Sequence, residues 1–172
     1  MRVLSKQRNS KMCFICGMDN PIGFRAPYYN MEDGSVISPF EFKEIHQSFP
    51  QRVHGGLIGT ILDEMACRAY WINGDYTTGV TTSMEVKYRK PTPYNVPLLG
   101  RGIVTLDRSR MFKTHAEIID KFGTVYAEAE VTYLKLPSDK IAENMDIHSE
   151  LPYLIEDGIT EIEIEEKALV LA

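Results

Sequence analysis

A histidine and two glycines, His54-Gly55-Gly56, open an apolar run that carries an aspartate, Asp63, at mid-length. Residues of these types can act on a carbonyl group. Glycine has no Cβ, so at positions 55 and 56 a ligand can approach the backbone where the first N–H groups of a helix lack acceptors and the dipole is positive. Such a place suits an anion or a polarised carbonyl oxygen. A carboxylate can supply the remaining chemistry, as general base or as nucleophile. Asp63 follows Gly55 by eight residues, about 12 Å along a helix axis, which is too far for both to act on one carbonyl carbon. If both belong to one reaction centre, they come from two chains, and the spacing implies a dimer with its active sites at the interface. Each residue also has a purely structural role open to it. Gly-Gly can be a turn, His54 a hydrogen-bonded structural residue, and Asp63-Glu64 a solvated helix face.

The element that positions these groups is a helix within Val53 to Trp71, where Leu57, Ile58, Ile61, Leu62, Met65, Ala66 and Ala69 recur at helical spacing and form one broad apolar face. Gly59, Thr60, Asp63, Glu64, Cys67 and Arg68 fall on the other side. Ahead of it, Phe24 to Phe40 reads as strand with Glu32-Asp33-Gly34 as a hairpin turn, and Pro39 to Pro50 as a loop into the helix. After it, Asn73-Gly74-Asp75 signals a turn. A period-two strand follows, with Val80, Thr82, Met84, Val86 and Tyr88 on one side and Thr81, Ser83, Glu85, Lys87 and Arg89 on the other. Further strands are expected at Gly100 to Asp107, Phe112 to Asp120 and Thr124 to Leu136. One long helix among several antiparallel strands predicts an α+β layer architecture, the sheet wrapped around the helix.

The stretch HQSFPQRVHGGLIGTILDEMA, His46 to Ala66, together with GVTTSMEVKYRKP and DKFGTVYAEAEVTYLKL, resembles the hotdog-fold acyl-CoA thioesterases of the PaaI-like branch. The resemblance implies a hotdog fold and hydrolysis of an acyl-CoA thioester without a cofactor. It puts Asp63 at the family's catalytic acid, nine residues after the motif histidine, and implies that the Gly55 N–H polarises the carbonyl. His54 then holds the loop or touches the thioester region, and Gly56 contacts substrate. Thr81 matches a position where some relatives carry a Ser or Thr beside the carboxylate or the attacking water. Where relatives often have Asn six residues before the histidine, this chain has Ser48, with Gln47 adjacent as a substitute. The resemblance also implies a homodimer, with dimers pairing into tetramers as the wider assembly. Arg89 and Lys90, with Arg108, Arg110 and Lys113, are candidate receivers for the phosphates of coenzyme A. Tyr70, Trp71 and Phe112 are candidate pocket aromatics.

A chain of 172 residues, 44% hydrophobic and 25% charged, can bury a real core in one domain. The expected divisions are a lead-in at 1–23, a hotdog domain at 24–137 and an acidic extension at 138–172. No apolar run of about 18 residues is present for a membrane span, and MRVLSKQRNSKM is not followed by a signal-length apolar stretch. A cytoplasmic protein without membrane or nucleic-acid partners is expected, the net charge being −5. Ten acidic residues crowd into 139–172 against two lysines, leaving the rest slightly basic. The three cysteines form no disulfide framework. Cys13 and Cys16 make one CxxC, half of a zinc site, so no metal is expected; CFICGMDNPIGF resembles the family's Cys-Gly-x-x-Asn-Pro-x-Gly lead-in, a structured turn. The extension is read as a short helix at Ser138 to Met145 and an edge strand within Ile155 to Ile164. The rival functions are a non-catalytic acyl-CoA-sensing hotdog protein and a hotdog enoyl-thioester hydratase.

Overall fold

The computed structural model describes residues 1–72, 74 and 77–165. Its strands are β1 (Val3–Lys6), β2 (Tyr29–Met31), β3 (Val36–Glu41), β4 (Gln47–Phe49) and β5 (Arg52–Val53) before the central helix α1 (Gly55–Ala69). Four long strands follow, β6 (Gly79–Tyr88), β7 (Pro97–Asp107), β8 (Met111–Ile119) and β9 (Val125–Lys135), then two single-turn helices, α2 (Ser138–Ile141) and α3 (Ile147–Glu150). A seven-stranded antiparallel sheet runs in the order β1-β2-β3-β7-β8-β9-β6. This is the hotdog arrangement. The sheet begins at Val3, well ahead of residue 24, because β1 pairs with β2. The strand around Pro39 also runs longer than expected, to Glu41, before a 3-10 turn at Glu44–His46. Asn73 and Asp75 of the expected turn lie outside the described residues; Gly74 has φ +74° and donates its N–H to the Trp71 carbonyl at 3.0 Å.

Alternation explains which face of the sheet meets α1. In β9, Ala127, Ala129, Val131 and Tyr133 are buried while the residues between them are more open, and Phe112, Ala116 and Ile118 of β8 share their cluster with Ile58, Ile61, Leu62, Met65, Ala66 and Ala69 of α1. Each large aliphatic side chain so enclosed is worth about 1.5–3 kcal/mol. The helix lies very close to β7. A Cβ at Gly102 would stand 2.5 Å from the Met65 carbonyl oxygen, and one at Gly100 would stand 2.6 Å from the Met65 side chain. The side of α1 opposite its apolar face is covered in part, although Thr60 stays exposed. Gly59 and Arg68 are buried, the latter beneath the N-terminal segment.

A second cluster, Tyr29, Met31, Ile37 and Ile162, joins the far sheet edge to the C-terminal extension. The extension runs antiparallel to β1, the Val3 N–H donating to the Thr160 carbonyl at 2.8 Å and the Ile162 N–H to the Met1 carbonyl at 2.9 Å. Asp157 accepts bonds from Lys6 and from the Tyr29 hydroxyl. Among the described residues no helix is long and apolar enough to cross a membrane.

Candidate active site

The entry to α1 is built by a cap. His54 has extended backbone (φ −65°, ψ 128°), and its Nδ1 accepts the Gly56 N–H at 3.0 Å. His54 is therefore a structural cap as well as a surface residue, and the Gly56 N–H is engaged by it rather than left for substrate. The Gly55 N–H, at the first helical position, meets no acceptor among the described residues, as the geometry of a helix start dictates. The Tyr88 hydroxyl donates to the Gly55 carbonyl at 3.0 Å and ties this end of the helix to the end of β6. A cavity of about 330 Å³ opens here, with Arg52, Gly55, Ile58, Tyr88, Arg89 and Lys90 in its lining. Arg89 is paired with Glu128. Gln47 and Ser48 are exposed on the β4–β5 hairpin that leads into His54.

Two turns further along α1, Asp63 is half-buried with one oxygen held twice. The Thr81 hydroxyl donates to Asp63 Oδ1 at 2.8 Å and the Tyr133 hydroxyl reaches the same oxygen at 2.9 Å and the Asp63 carbonyl at 2.7 Å. Asp63 Oδ2 has no hydrogen-bond partner among the described residues. Burial raises the Tyr133 phenol well above its ordinary range, which keeps it a donor at neutral pH. The partners of the carboxylate are thus hydroxyl groups and not further metal ligands.

The expected alternation would turn Thr81 away from the face that carries Met84 and Tyr88. It does not, because β6 has a bulge: Thr81 opposes Tyr133 and Ser83 opposes Thr132, so Thr82 is an inserted residue. Thr81, Met84 and Tyr88 consequently all face α1, Met84 lying over Gly59. Tyr133 carries no signal of its own in the sequence. Its position in the inward set of β9 was the available clue, since a phenol there has to find a polar partner. Phe112 stacks on Tyr133 at 4.7 Å and Tyr70 on Phe112 at 4.1 Å, a column of rings ending at Asp63. The Trp71 ring packs against the Arg68 guanidinium. Glu64 turns away from Asp63 and pairs with Arg68 at 2.9 Å.

The basic candidates divide between two places. Arg89 and Lys90 stand with Arg52 beside Gly55, whereas Arg110 immediately precedes Met111, which pairs with Leu134 and through it with Val80 at the other end of β6. Gly55 and Asp63 are likewise tied to opposite ends of that strand, through Tyr88 and Thr81.

An antiparallel sheet packed on one glycine-opened helix that bears a hydroxyl-bound acid defines a hotdog protein. The model of the Thioesterase superfamily matches residues 51–127, which take in α1 and strands β6, β7 and β8. That match spans less than half of the chain, and over it the chain is similar to that superfamily. Two curated relatives, both named acyl-coenzyme A thioesterase THEM4, are 24% identical over 137 residues (rat) and 27% identical over 138 residues (mouse). Each match covers 78% of this chain and 58% of the relative, so the chain spans little more than half the length of those proteins. Among solved structures, a thioesterase superfamily protein superposes with a TM-score of 0.64 at 26% identity, covering 69% of this chain and 61% of the other. Zebra fish thioesterase superfamily member 2 gives 0.58 at 17% identity, covering 64% and 81%. The phenylacetic acid degradation protein PaaI of Thermus thermophilus, in its N33D variant, gives 0.53 at 19% identity, covering 60% and 86%; these last two show the fold alone.

Proposed function

We propose that the protein is an acyl-CoA thioesterase whose two active sites are each shared between the subunits of a homodimer. The observation that carries this reading is the division of the machinery along one bare strand. β6 is the last strand of the sheet, ten residues long and almost wholly exposed. Its unpaired N–H and C=O groups form a template for another strand. Large apolar side chains on the same strand stay open, Met84 at 38% and Tyr88 at 57% exposure, as a surface awaiting cover would have.

If two copies pair antiparallel through β6 about Glu85, with the bulged Thr82 left out of the count, Thr81 of one stands opposite Tyr88 of the partner subunit, about 5 Å away. The Gly55 N–H of one chain then lies beside Asp63 of the partner subunit. Arg110 of the partner subunit comes to the same end as Arg89 and Lys90, and together they make a basic rim for the phosphates of coenzyme A. In this site the Gly55 N–H and the helix dipole stabilise the oxyanion that forms as the thioester is attacked. Asp63 Oδ2 either takes a proton from the attacking water or attacks the carbonyl carbon itself, forming a mixed anhydride that water then hydrolyses to the free acid and Asp63, while Thr81 and Tyr133 hold Oδ1 still. The coenzyme A thiolate departs and is protonated from solvent.

The test is free-thiol release from short, medium, long and aryl acyl-CoAs, with Asp63→Asn alongside and the mass of the assembly measured for both. Turnover that collapses in a folded, dimeric Asp63→Asn supports the assignment. Turnover that survives the substitution removes Asp63 from the chemistry, and tight acyl-CoA binding without turnover by the native chain points to a sensor.

A further inference from the structure

A second cluster of reactive groups lies on the other flank of α1, one residue from Asp63 and facing away from it. Residues 13–17 form a tight turn, the Gly17 N–H donating to the Cys13 carbonyl at 2.8 Å. It brings Cys13 Sγ, Cys16 Sγ and a Glu64 carboxylate oxygen within 4.8 Å of one another. Arg68 reaches into the group from the helix. It is 1% exposed, enclosed between the rings of Tyr28 at 4.4 Å and Trp71 at 4.5 Å. Its Nη2 donates to Cys16 Sγ at 2.8 Å, its Nε to Glu64 at 2.9 Å and its Nη1 to the Arg8 carbonyl at 2.9 Å.

That arrangement suits an anionic sulfur better than a bound cation. The guanidinium already supplies the positive charge that Glu64 and a Cys16 thiolate require, and a divalent ion among the same atoms would sit against a buried arginine in a medium of low dielectric. The hydrogen bond from Cys13 and the charge of Arg68 bring the Cys16 thiol down to about 6, against the effect of burial. Cys13 moves the other way, held protonated by its bond to Cys16, by burial and by Glu64. The structure therefore offers one nucleophile and one protonated neighbour, both lining a cleft of about 480 Å³ between the N-terminal turn and the segment around Asn144.

We propose that Cys13 and Cys16 are a redox-active pair that hydrogen peroxide converts to an intrachain disulfide, a site separate from the proposed thioesterase chemistry. The Cys16 thiolate attacks one peroxide oxygen: an S–O bond forms, the O–O bond breaks, and the departing hydroxide takes up a proton and leaves as water. The Cys13 sulfur then attacks the sulfenic sulfur of Cys16; the S–S bond forms, the S–O bond breaks, and the hydroxyl leaves with the Cys13 proton as a second water. The pair gives up two electrons and the peroxide accepts them. Arg68 keeps Cys16 in the reactive form. Cys67 is an internal control, because burial pushes its thiol up to about 12 and no thiol lies beside it in the cluster.

Intact-mass analysis and peptide mapping after hydrogen peroxide treatment of the native protein test this. The expected result is loss of two hydrogens, a link mapped to Cys13 and Cys16, Cys67 still free to react with maleimide after unfolding, and full reversal by a dithiol reductant. Cys13→Ser should stop at a sulfenic acid on residue 16, trapped by dimedone and formed at least about tenfold faster than any product at Cys67. Three maleimide-reactive thiols remaining at a dose that oxidises free glutathione would overturn the proposal, and the native chain alone decides that. Stoichiometric zinc in the purified protein, released when the cysteines are modified, would overturn it in favour of a metal centre.

Discussion

Replacing Gly55 by proline removes one atom group from the proposed chemistry and leaves the fold its preferred geometry. Position 55 is the first residue of α1, where proline is favoured and its missing N–H costs the helix nothing. His54 already has the extended backbone that a residue before proline adopts, φ −65° and ψ 128°. A Cβ at this position meets only Tyr88, at 3.4 Å, an ordinary contact. The stability change should therefore be small and favourable, about 0.4–1 kcal/mol from the stiffer unfolded chain. Loss of one oxyanion donor costs about 3–4 kcal/mol of transition-state stabilisation, a fall of about 10²–10³ in kcat. KM for the best acyl-CoA should change little, because the missing bond matters where charge develops. Steady-state thiol release gives both constants and thermal unfolding reads the stability. A heterodimer of Gly55→Pro with Asp63→Asn extends the test to the shared site: one of its two sites is intact if the halves come from different chains, so about half the native activity returns. A folded, dimeric Gly55→Pro with kcat within about threefold of native, less than 1 kcal/mol, refutes the role of the Gly55 N–H. An inactive heterodimer refutes the sharing.

Other outcomes follow from the same coordinates. Tyr133→Phe and Thr81→Val each remove one donor from Asp63 Oδ1 and should lower kcat by about tenfold with about 1 kcal/mol lost in stability; a kcat unchanged in both would show that the carboxylate needs no positioning. Gly102→Ala should destabilise by about 1–3 kcal/mol in denaturant unfolding, and more than Gly100→Ala, because its Cβ meets the Met65 backbone rather than a flexible side chain. Hydrogen bonds from Lys6, Tyr29 and the Ile159 N–H hold Asp157 down to about 2 against 3.8 in the unfolded chain, overcoming burial. A depressed folded-state value means that its stabilisation is complete above about 4 and is lost as the pH falls towards 2. Amide exchange at Val3 and Ile162 should accelerate across that window, and Asp157→Asn should abolish the pH step.

Local patterns carried much of this structure. The apolar spacing from Leu57 to Ala69 locates α1, the Glu32-Asp33-Gly34 turn locates the β2–β3 hairpin, and alternation locates β7, β8 and β9 to within a few residues. What local pattern could not carry was set by contacts between distant segments. Thr81 faces Asp63 only because Thr82 is an extra residue in β6, and one inserted residue inverts every period-two assignment beyond it. Arg68 reads as a solvated helix residue until the N-terminal turn is folded over it, and Tyr133 becomes a partner of Asp63 through a separation of seventy residues along the chain. Grouping Arg110 with Arg89 by charge likewise ignored that β8 and β6 place them at opposite ends of one strand.

The coverage of β1 by the extension has a consequence for assembly. A β-sheet is a bifunctional monomer: both of its edges can add strands, and a chain with two open edges can polymerise without limit. Here the β1 end is covered from within, since Val3 and Met1 bond to Thr160 and Ile162, while β6 at the other margin has no second neighbouring strand among the described residues. Under the proposed pairing, each copy would spend the β6 edge on its partner, and a further strand joining at β1 would first have to displace the extension.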